Sequence, residues 1–291
     1  METIEKTSPC KVNLLLNILG KRPDGFHELE TVMYPLRLSD RLTLSRNGEG
    51  IHLTCTEPSL PTDSGNLAYR AAAAFLAAIH SHEGVRLRLE KRIPLAAGLG
   101  GGSANAATAL LALNELFGTP LGPGELQTLA ATLGSDVPFF LQSGPALASG
   151  RGERIQPLAF FPALRGACFL LVHPGFGIST AWAYQQLPRF PEALQGRPGR
   201  AAELVRQLEA GNLAALGSSL YNSLEAPALC KYPLLELFQQ FFRQQGALAT
   251  LMSGSGSTTF ALVENAGAAE DLAQKFKTRF GETYWLATVP A

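Results

Sequence analysis

Residues Pro94–Thr108 read PLAAGLGGGSANAAT, a glycine-rich segment followed directly by a helical pattern. Glycine adopts positive φ without steric cost and lets the backbone approach a ligand closely. Apolar residues recur at helical spacing after the glycines, so we predict a helix over Ser103–Phe117 with Ser103 as its N-cap. The glycines before this helix are Gly98, Gly100, Gly101 and Gly102. The segment therefore predicts a close-approach loop that opens onto a helix N-terminus.

The predicted helix N-terminus suits an anion, because its free N–H groups and the helix dipole both favour negative charge. The segment lacks the Gly-Lys-Ser/Thr ending of a Walker A loop, and Ser103 stands where a Rossmann pattern needs its last glycine. The chain contains no HRD or DFG sequence, which excludes a protein kinase. From the residues alone, the segment is either a phosphate-binding loop or a flexible connector. A second cluster, MSGSGST over Met252–Thr258, is either a plain turn or a second wall of the same phosphate site.

Strand and helix patterns extend outward from this loop. Before it, Lys11–Leu19 is predicted to be a buried strand and Asn66–Ile79 an alanine-rich helix. Further strands are predicted at 38–45, 51–56 (joined to 38–45 through Asn47-Gly48), 85–91, 167–173 and 258–263. Further helices are predicted at 125–133, 201–210, 213–221, 234–245 and 268–280. Strands followed by helices on one face indicate an α+β fold, with domains over 1–160 and 161–291.

The composition narrows the class of protein. The chain has 291 residues, of which 46% are hydrophobic and 16% charged, with a formal net charge of +0. Two cores are therefore expected, and without a basic excess we expect neither nucleic acid nor a membrane as partner. The four cysteines lack C-x-x-C spacing, so we expect no zinc site and no disulfide scaffold. No signal peptide or membrane-length apolar run is evident, which predicts a soluble, cytoplasmic protein.

Charged side chains outside the glycine loop are ambiguous when taken singly. Lys11, beside Asn13 in an apolar strand, is either an edge lysine that discourages aggregation or a cation that stabilises a transferring phosphoryl group. Asp136, in GSDVPFFL, is either a turn residue before a proline or a carboxylate that orients an acceptor hydroxyl. His27, in a Gly-Phe-His loop, is typical of a polar surface. From the residues alone, the structural interpretation is favoured for each of them.

Taken together and in this order, three segments resemble the GHMP kinase superfamily, which contains galactokinase, homoserine kinase and mevalonate kinase. They are Pro9–Asn13, Pro94–Thr108 and Met252–Thr258. The resemblance implies an ATP-dependent small-molecule kinase with two domains and an active site in the cleft between them. It also implies ATP, with Mg²⁺, as the cofactor. A monomer or a weak homodimer is expected.

Within the superfamily, further stretches resemble a branch on the non-mevalonate route to isoprenoids. Those stretches are PCKVNLLLNILGKRPDGFHELETVM, GSDVPFFL and HPGFGISTAWAY. The resemblance implies a substrate alcohol that carries a cytidine diphosphate group. It assigns Lys11 and Asp136 to catalysis, and Asn13, Phe26, His27 and Tyr184 to substrate binding. For ATP it implies Asn66, Leu67, Pro94, Gly98, Leu99, Gly100, Gly101, Gly102 and Ser103.

Two alternatives to this interpretation differ in substrate or in chemistry. A mevalonate-type kinase of the same superfamily would need no cytidine pocket, so Phe26, His27 and Tyr184 argue against it. A non-catalytic binding protein would not need both Lys11 and Asp136. The chain departs from the branch at two positions, with Phe26 in place of a tyrosine and Ser223 in place of an aspartate. The ring is kept at Phe26, so we expect stacking to survive without the hydroxyl.

Overall fold

A computed structural model describes residues 2–46, 48–211, 213 and 216–291. The strands of these residues are β1 (Thr3–Lys21), β2 (His27–Arg46), β3 (Ile51–Cys55), β4 (Val85–Glu90), β5 (Ala146–Gly150), β6 (Arg154–Pro157), β7 (Cys168–His173), β8 (Tyr221–Asn222), β9 (Ala249–Met252), β10 (Thr259–Val263) and β11 (Trp285–Pro290). The helices are α1 (Leu67–Ala78), α2 (Gly101–Leu116), α3 (Pro123–Leu133), α4 (Thr180–Gln186), α5 (Pro191–Leu194), α6 (Arg200–Glu209), α7 (Glu225–Lys231), α8 (Pro233–Gln244) and α9 (Ala266–Phe280). Short 3-10 turns cover Pro138–Leu141, Pro162–Leu164, Leu187–Arg189 and Leu216–Ser218.

The larger sheet is built around the long antiparallel pair of β1 and β2. Its strand order is β3-β4-β2-β1-β8, with β5 also paired to β2 and β6 paired to β5. In β1 every residue from Cys10 to Ile18 is buried, so both faces of this segment are covered. Lys11 therefore lies inside a core strand, where a charged side chain needs partners.

Alanine-rich helices cover one side of this sheet. The buried residues of α1 and α2 share one apolar cluster with Leu42, Leu44 and Leu87 of β2 and β4. Small side chains let these helices approach each other and the strands closely, because an alanine adds little beyond the backbone. This packing fixes the N-terminus of α2 against the sheet, directly after the glycine-rich segment.

The smaller sheet is antiparallel, in the order β11-β7-β10-β9. Helices α8 and α9 cover it, and their phenylalanines interlock. The Phe238 and Phe276 rings meet edge to face with centroids 4.9 Å apart, a favourable geometry for aromatic pairs. The opposite face is covered by β1, because Val12 and Leu14 share a cluster with Phe169 and Phe260.

The second half of the chain contributes one strand to the larger sheet. Strand β8 comes from the second half but pairs in parallel with β1 at Leu15–Tyr221 and Leu16–Asn222. The α+β class predicted from the sequence is confirmed, and its strands form two separate sheets. The boundary between residues 160 and 161 stays a prediction, since β8 and a common apolar cluster cross it.

The start of α2 differs from the sequence prediction. The helix begins at Gly101, and its N-cap is Gly100 in the left-handed conformation with φ 72°, so the prediction of Ser103 as N-cap was wrong. An N-cap serine needs an extended backbone before the first turn, whereas Gly100 turns the chain three residues earlier. Ser103 is instead the third residue of the first turn.

The other element predictions, apart from the helix 213–221, are confirmed in kind and differ at their ends. The predicted strand Lys11–Leu19 is the middle of β1, and the predicted helix Asn66–Ile79 is α1 with Asn66 as N-cap. Asn47 of the Asn47-Gly48 connection and residues 214 and 215 of the predicted helix 213–221 lie outside the described residues. In the part that the structure describes, the prediction of this helix was wrong, because a 3-10 turn forms over Leu216–Ser218 and Tyr221 begins β8. No helix in the described residues is both long enough and apolar enough to cross a bilayer.

Candidate active site

A cavity of about 1350 Å³ opens between the two halves of the chain and draws its wall from both. All fifteen residues that the sequence predicts for the site line it. They are Lys11, Asn13, Phe26, His27, Asn66, Leu67, Pro94, Gly98, Leu99, Gly100, Gly101, Gly102, Ser103, Asp136 and Tyr184. The structure thus brings together residues that are more than half the chain apart, such as Lys11 and Tyr184. Their individual roles stay predictions.

The glycine loop is shaped by two positive-φ glycines, Gly98 and Gly100. Gly98 has φ 76°, and a Cβ placed on it would lie 2.0 Å from the Ser253 carbonyl oxygen. Gly100 has φ 72°, and its Cβ would lie 2.9 Å from Cζ of Phe140 and 3.2 Å from Cε of Lys11. Any side chain at either position would collide with fixed groups. Beyond them, the first N–H groups of α2 have no preceding helical carbonyl and face the cavity.

The two glycine clusters contact each other. The Ser253 hydroxyl donates to the Gly98 carbonyl at 2.9 Å and accepts from the Asn13 backbone N–H at 3.3 Å. The Thr258 backbone N–H donates to the Ala97 carbonyl at 3.1 Å. Gly254 and Ser255 line the same cavity as the first loop. The second cluster is therefore not a remote turn but an adjoining wall of the cavity.

Lys11 and Asp136 form the charged centre of the cavity. The Lys11 ammonium lies 3.6 Å from Oδ2 of Asp136, and the lysine side chain is 3% exposed whereas the aspartate is 40% exposed. Lys11 also donates to Oδ1 of Asn13 and, at 3.2 Å, to the Gly98 carbonyl. Asn13 is oriented in turn by its donation to the Thr31 hydroxyl at 2.8 Å. The ammonium is thus fixed from three sides, while the carboxylate remains open to a ligand.

A second buried lysine beneath the loop was missed by the sequence analysis. The Lys91 ammonium pairs with the fully buried Asp40 and donates to Oδ1 of Asn105 at 3.1 Å. Asn105 donates to Asp40 at 2.9 Å, so three side chains form one network. A Cβ on Gly101 would lie 3.4 Å from the Lys91 ammonium, which places that charge under the start of α2. In sequence, Lys91 is only the last residue of a predicted strand, and no spacing rule links it to Asp40.

Aromatic rings gather at another part of the cavity. The rings of His27 and Tyr184 lie with centroids 5.0 Å apart and 34° between their planes. Burial, and then the charge of Asp136, raises the pKa of the Tyr184 phenol above its usual value, so the phenol stays neutral. Burial, and then Lys21, lowers the pKa of His27, which favours the neutral imidazole. A neutral imidazole offers one donor and one acceptor, which suits a base edge.

Phe26 lies at the rim with half of its surface exposed. The Arg151 guanidinium sits 4.6 Å from the centre of its ring, a cation–π contact within the cavity wall. Arg151 was not among the residues predicted from the sequence. In the sequence, Arg151 is only a charged residue in the Gly150–Glu153 turn. Its contact with a ring 125 residues earlier in the chain cannot be predicted without the tertiary structure.

Asn66 is already engaged as a structural residue. Its side chain accepts from the Ala68 N–H as the N-cap of α1 and donates to the Pro61 carbonyl at 2.9 Å. Leu67, the first residue of α1, lies beside the loop, since a Cβ on Gly102 would meet its Cδ1 at 3.7 Å. Asn66 and Leu67 thus form a fixed wall beside the glycine loop, where the N-terminus of α1 faces the N-terminus of α2.

A short polar segment after β8 supports the second glycine cluster. Asn222 donates to the carbonyls of Met252 and Gly254, each at 2.7 Å. Glu225 accepts from the Met252 N–H at 2.7 Å, and burial raises the pKa of this carboxyl to about 7. Between them, Ser223 accepts from the Ile18 N–H at 3.0 Å. A carboxylate could accept the same hydrogen bond, so serine fills this place without leaving the strand N–H unpaired.

The arrangement offers backbone N–H groups, one free carboxylate and an anchored ammonium, which together suit transfer of a phosphoryl group. The glycine loop and the first N–H groups of α2 form a phosphate-binding surface of backbone atoms. No side chain that the structure describes obstructs this surface, so it suits a triphosphate. Across the described ranges, no group of three or more His, Cys, Asp or Glu side chains is placed to hold a metal ion. A divalent cation here would need phosphate oxygens as its main ligands.

Comparison with known proteins adds two family matches and close full-length relatives. Residues 66–144 match the GHMP kinases N terminal domain, and residues 204–282 match the GHMP kinases C terminal model. The chain is 43% identical over 299 residues to a 4-diphosphocytidyl-2-C-methyl-D-erythritol kinase of Synechococcus sp. (strain JA-2-3B'a(2-13)), covering 98% of this chain and 94% of that protein. It is 43% identical over 269 residues to the protein of the same name from Pelotomaculum thermopropionicum, covering 92% of each.

A solved structure is similar over its whole length. The crystal structure of a 4-(cytidine 5'-diphospho)-2C-methyl-D-erythritol kinase superimposes with a TM-score of 0.81 at 38% identity, covering 99% of this chain and 100% of that one. The likeness therefore includes both sheets and the cleft between them.

Proposed function

Because the chain belongs to the GHMP kinases, and within them to the 4-diphosphocytidyl-2-C-methyl-D-erythritol kinases, we propose that its cleft transfers the γ-phosphoryl group of ATP to the 2-hydroxyl group of that substrate. The observation that carries the proposal is the position of Lys11, which contacts both the carbonyl of Gly98 in the glycine loop and the carboxylate of Asp136. The Lys11 ammonium thus connects the glycine loop, which suits phosphates, to the Asp136 carboxylate, which suits an acceptor hydroxyl.

ATP is held mainly by backbone in this proposal. The free N–H groups of Gly101, Gly102 and Ser103 meet the phosphates at the positive end of α2. The wall formed by Asn66 and Leu67 receives the adenine. The Lys91 ammonium places a second positive charge beneath the N-terminus of α2. Because Lys91 forms an ion pair with Asp40, the net charge beneath the loop stays close to zero when no ATP is bound.

The cytidine group occupies the aromatic part of the cavity. Stacking on a ring such as Tyr184 contributes about 1–3 kcal/mol per base. The neutral imidazole of His27 reads the edge of the cytosine through one donor and one acceptor. A mevalonate-type substrate has no group that uses these rings, so the aromatic cluster favours the cytidine substrate over that alternative.

The chemical step needs the acceptor oxygen in line with the γ-phosphate. Asp136, open to the cavity, accepts the hydroxyl proton or orients the hydroxyl, and Lys11 stabilises both the carboxylate and the charge on the moving phosphoryl group. Mg²⁺ bound to ATP would neutralise phosphate charge, with the Ser103 hydroxyl as a protein oxygen at the start of α2. We place the reaction in the cytoplasm and expect a monomer or weak homodimer.

An ADP-release assay across several alcohols tests the proposal. With ATP and Mg²⁺, we expect turnover with 4-diphosphocytidyl-2-C-methyl-D-erythritol and none above background with mevalonate or with the free methylerythritol. Phosphorus NMR of the product should show a new monophosphate ester at the 2-position. Comparable kcat/KM values for mevalonate would refute the substrate assignment, and phosphate at another hydroxyl would refute the assigned acceptor.

A further inference from the structure

A second cavity, of about 710 Å³, shares no lining residue with the cleft. Arg37, Arg41, Arg92 and Arg165 all line it. Asp40 is its only acidic side chain, and that carboxylate already accepts from the Arg92 N–H at 2.7 Å, the Ile93 N–H at 2.9 Å, Asn105 and Lys91. In a chain with a net charge of +0, this is a local concentration of positive charge.

Among the residues that the structure describes, three of these arginines have no charged partner. Arg41 pairs with Glu5 at 3.3 Å, but no carboxylate of the described residues, including that of Ala291, forms an ion pair with Arg37, Arg92 or Arg165. Guanidinium groups without protein partners are the donors best suited to bind phosphate bidentately. The cavity therefore carries unused capacity for an anion.

The backbone turns one of these arginines out of the regular strand pairing. In β1 and β2, Pro9 faces Ser39 and the next residue, Cys10, faces Leu36, so Arg37 and Leu38 have no opposite residue. A bulge of this kind redirects the side chains of the bulged strand and often marks a functional site. Arg37 thus sits on one of the irregular segments of the β1–β2 pairing.

Tyr34 lies in the same wall and presents a phenol hydroxyl to the cavity. Tyr34 is 2% exposed and lines the cavity, yet its hydroxyl makes no hydrogen bond with any residue that the structure describes. The ring of Tyr34 is buried, but its hydroxyl oxygen is not among the buried polar atoms that lack a partner, so this oxygen is open to the cavity. Burial raises the pKa of this phenol, which keeps it a donor at neutral pH. The hydroxyl is therefore available to an oxygen of a ligand inside the cavity.

Apolar rings adjoin these donors. Phe160 is 60% exposed and meets Tyr34 edge to face at 5.9 Å, and Phe161 stacks on Tyr34 at 6.1 Å. Phe160 is one of only a few large apolar side chains in the described residues with half or more of their surface in water. A ligand with an apolar part next to its anion would cover this ring.

We propose that this cavity is a second ligand site, which binds a small organic phosphate ester with its phosphate on Arg37 and Arg165, its oxygen on the Tyr34 hydroxyl and its apolar part on Phe160. The site is separate from the cleft and does not depend on the proposed reaction. The cavity is too small for a nucleic acid duplex, and the ester combines the two chemistries that its wall presents.

Phenyl phosphate is the probe, titrated calorimetrically into the full chain. Saturating non-hydrolysable ATP analogue and cytidine 5'-diphosphate fill the cleft first, so that the probe cannot bind at the glycine loop. We expect one further site, and we expect the double variant Arg37→Ala with Arg165→Ala to weaken binding by about tenfold or more, the usual effect of losing charged hydrogen bonds. The matched control, Arg86→Ala with Arg154→Ala, removes two exposed arginines outside both cavities and should leave binding unchanged.

Further variants separate the parts of the site. Tyr34→Phe should weaken phenyl phosphate binding severalfold without changing the melting temperature by more than a few degrees. Inorganic phosphate should bind more weakly than phenyl phosphate, and Phe160→Ala should abolish that difference. Absence of binding with the cleft filled overturns the proposal. So does equal affinity of the arginine double variant and the wild type, or equal affinity for the two probes, since the arginines or the apolar wall would then contribute nothing.

Discussion

The ammonium of Lys11 lies 3.6 Å from the carboxylate of Asp136, and only the carboxylate is substantially exposed to the cleft. The buried member of the pair is fixed by Asn13 and by the carbonyl of Gly98. The pair is therefore a rigid cation facing an accessible anion. This asymmetry supports our proposal that Asp136 contacts the acceptor and that Lys11 stabilises charge.

Asp136→Asn keeps the size of the side chain but removes its ability to take a proton. We expect turnover to fall by about 10²–10⁴-fold, the range for loss of general acid–base catalysis. The glycine loop and the aromatic rings are untouched, so affinity for ATP and for the cytidine substrate should persist in equilibrium binding. Near-normal turnover at saturating ligand would remove Asp136 from the chemical step.

Lys11→Met should lower turnover by a comparable factor, because the phosphoryl group and the carboxylate both lose their cation. The double variant with Asp136→Asn should lose less than the product of the two single losses, since residues that act as one unit are not additive. Single-turnover kinetics on the three variants measures this coupling. Strictly multiplicative losses would show that the two side chains act independently.

Tyr184→Ala removes a ring from the aromatic part of the cavity. We expect the cytidine substrate to bind more weakly by about 1–3 kcal/mol, the contribution of stacking on one base. ATP affinity should change little, and Tyr184→Phe, which keeps the ring, should resemble the wild type in calorimetric titration. An equal loss for both ligands in the alanine variant would mean that Tyr184 supports the fold instead.

Two glycine substitutions in the loop should have different effects. A Cβ on Gly102 meets only Leu67 at an ordinary distance of 3.7 Å, so Gly102→Val should fold and should weaken ATP binding by crowding the phosphate and adenine wall. A Cβ on Gly98 overlaps the Ser253 carbonyl oxygen at 2.0 Å, so Gly98→Ala should lower the melting temperature. Thermal unfolding and nucleotide titration of both variants separate the two effects. Unchanged ATP affinity in folded Gly102→Val protein would contradict the loop assignment.

Glu225 should make the free energy of unfolding depend on pH. Burial raises its pKa from 4.5 to about 7 in the folded protein, so the folded state holds a proton that the unfolded state releases. The stabilisation from this group is complete below pH 4.5 and is lost as the pH rises to about 7. At about 1.4 kcal/mol per pKa unit, the loss is on the order of 3 kcal/mol.

Glu225→Gln keeps an acceptor oxygen for the Met252 N–H and cannot ionise, so it serves as the reference. Denaturant unfolding across this pH range should show the wild type losing stability relative to Glu225→Gln. Parallel pH profiles for the two proteins would show that Glu225 does not retain its proton on folding.

The sequence was sufficient to predict those elements that depend on residues close together in the chain. The glycine segment, the helix after it and the alanine-rich α1 follow from propensity and periodicity. The resemblance supplied the pairing of Lys11 with Asp136, for which no short-range pattern exists. It also supplied the aromatic residues of the substrate pocket.

Contacts between distant residues could not be predicted. Lys91 and Asp40 are 51 positions apart, and the burial of both charges is visible only when α2 lies over the sheet. The N-cap of α2 was misplaced because the left-handed turn at Gly100 depends on the close approach of Phe140 and Lys11. The pairing of β8 with β1 likewise depends on the second half folding back over the first.

The hydrogen bonds of Ser253 to Gly98 and Asn13 determine how late in translation the cleft can be completed. Ser253 is translated 240 residues after Asn13, an interval of about 10–50 s at usual rates of translation. Until then the carbonyl beside Lys11 lacks one of its two donors, and the cleft lacks its second wall. Nascent or truncated chains that end before this residue should therefore be unable to consume ATP, however well their first sheet has formed.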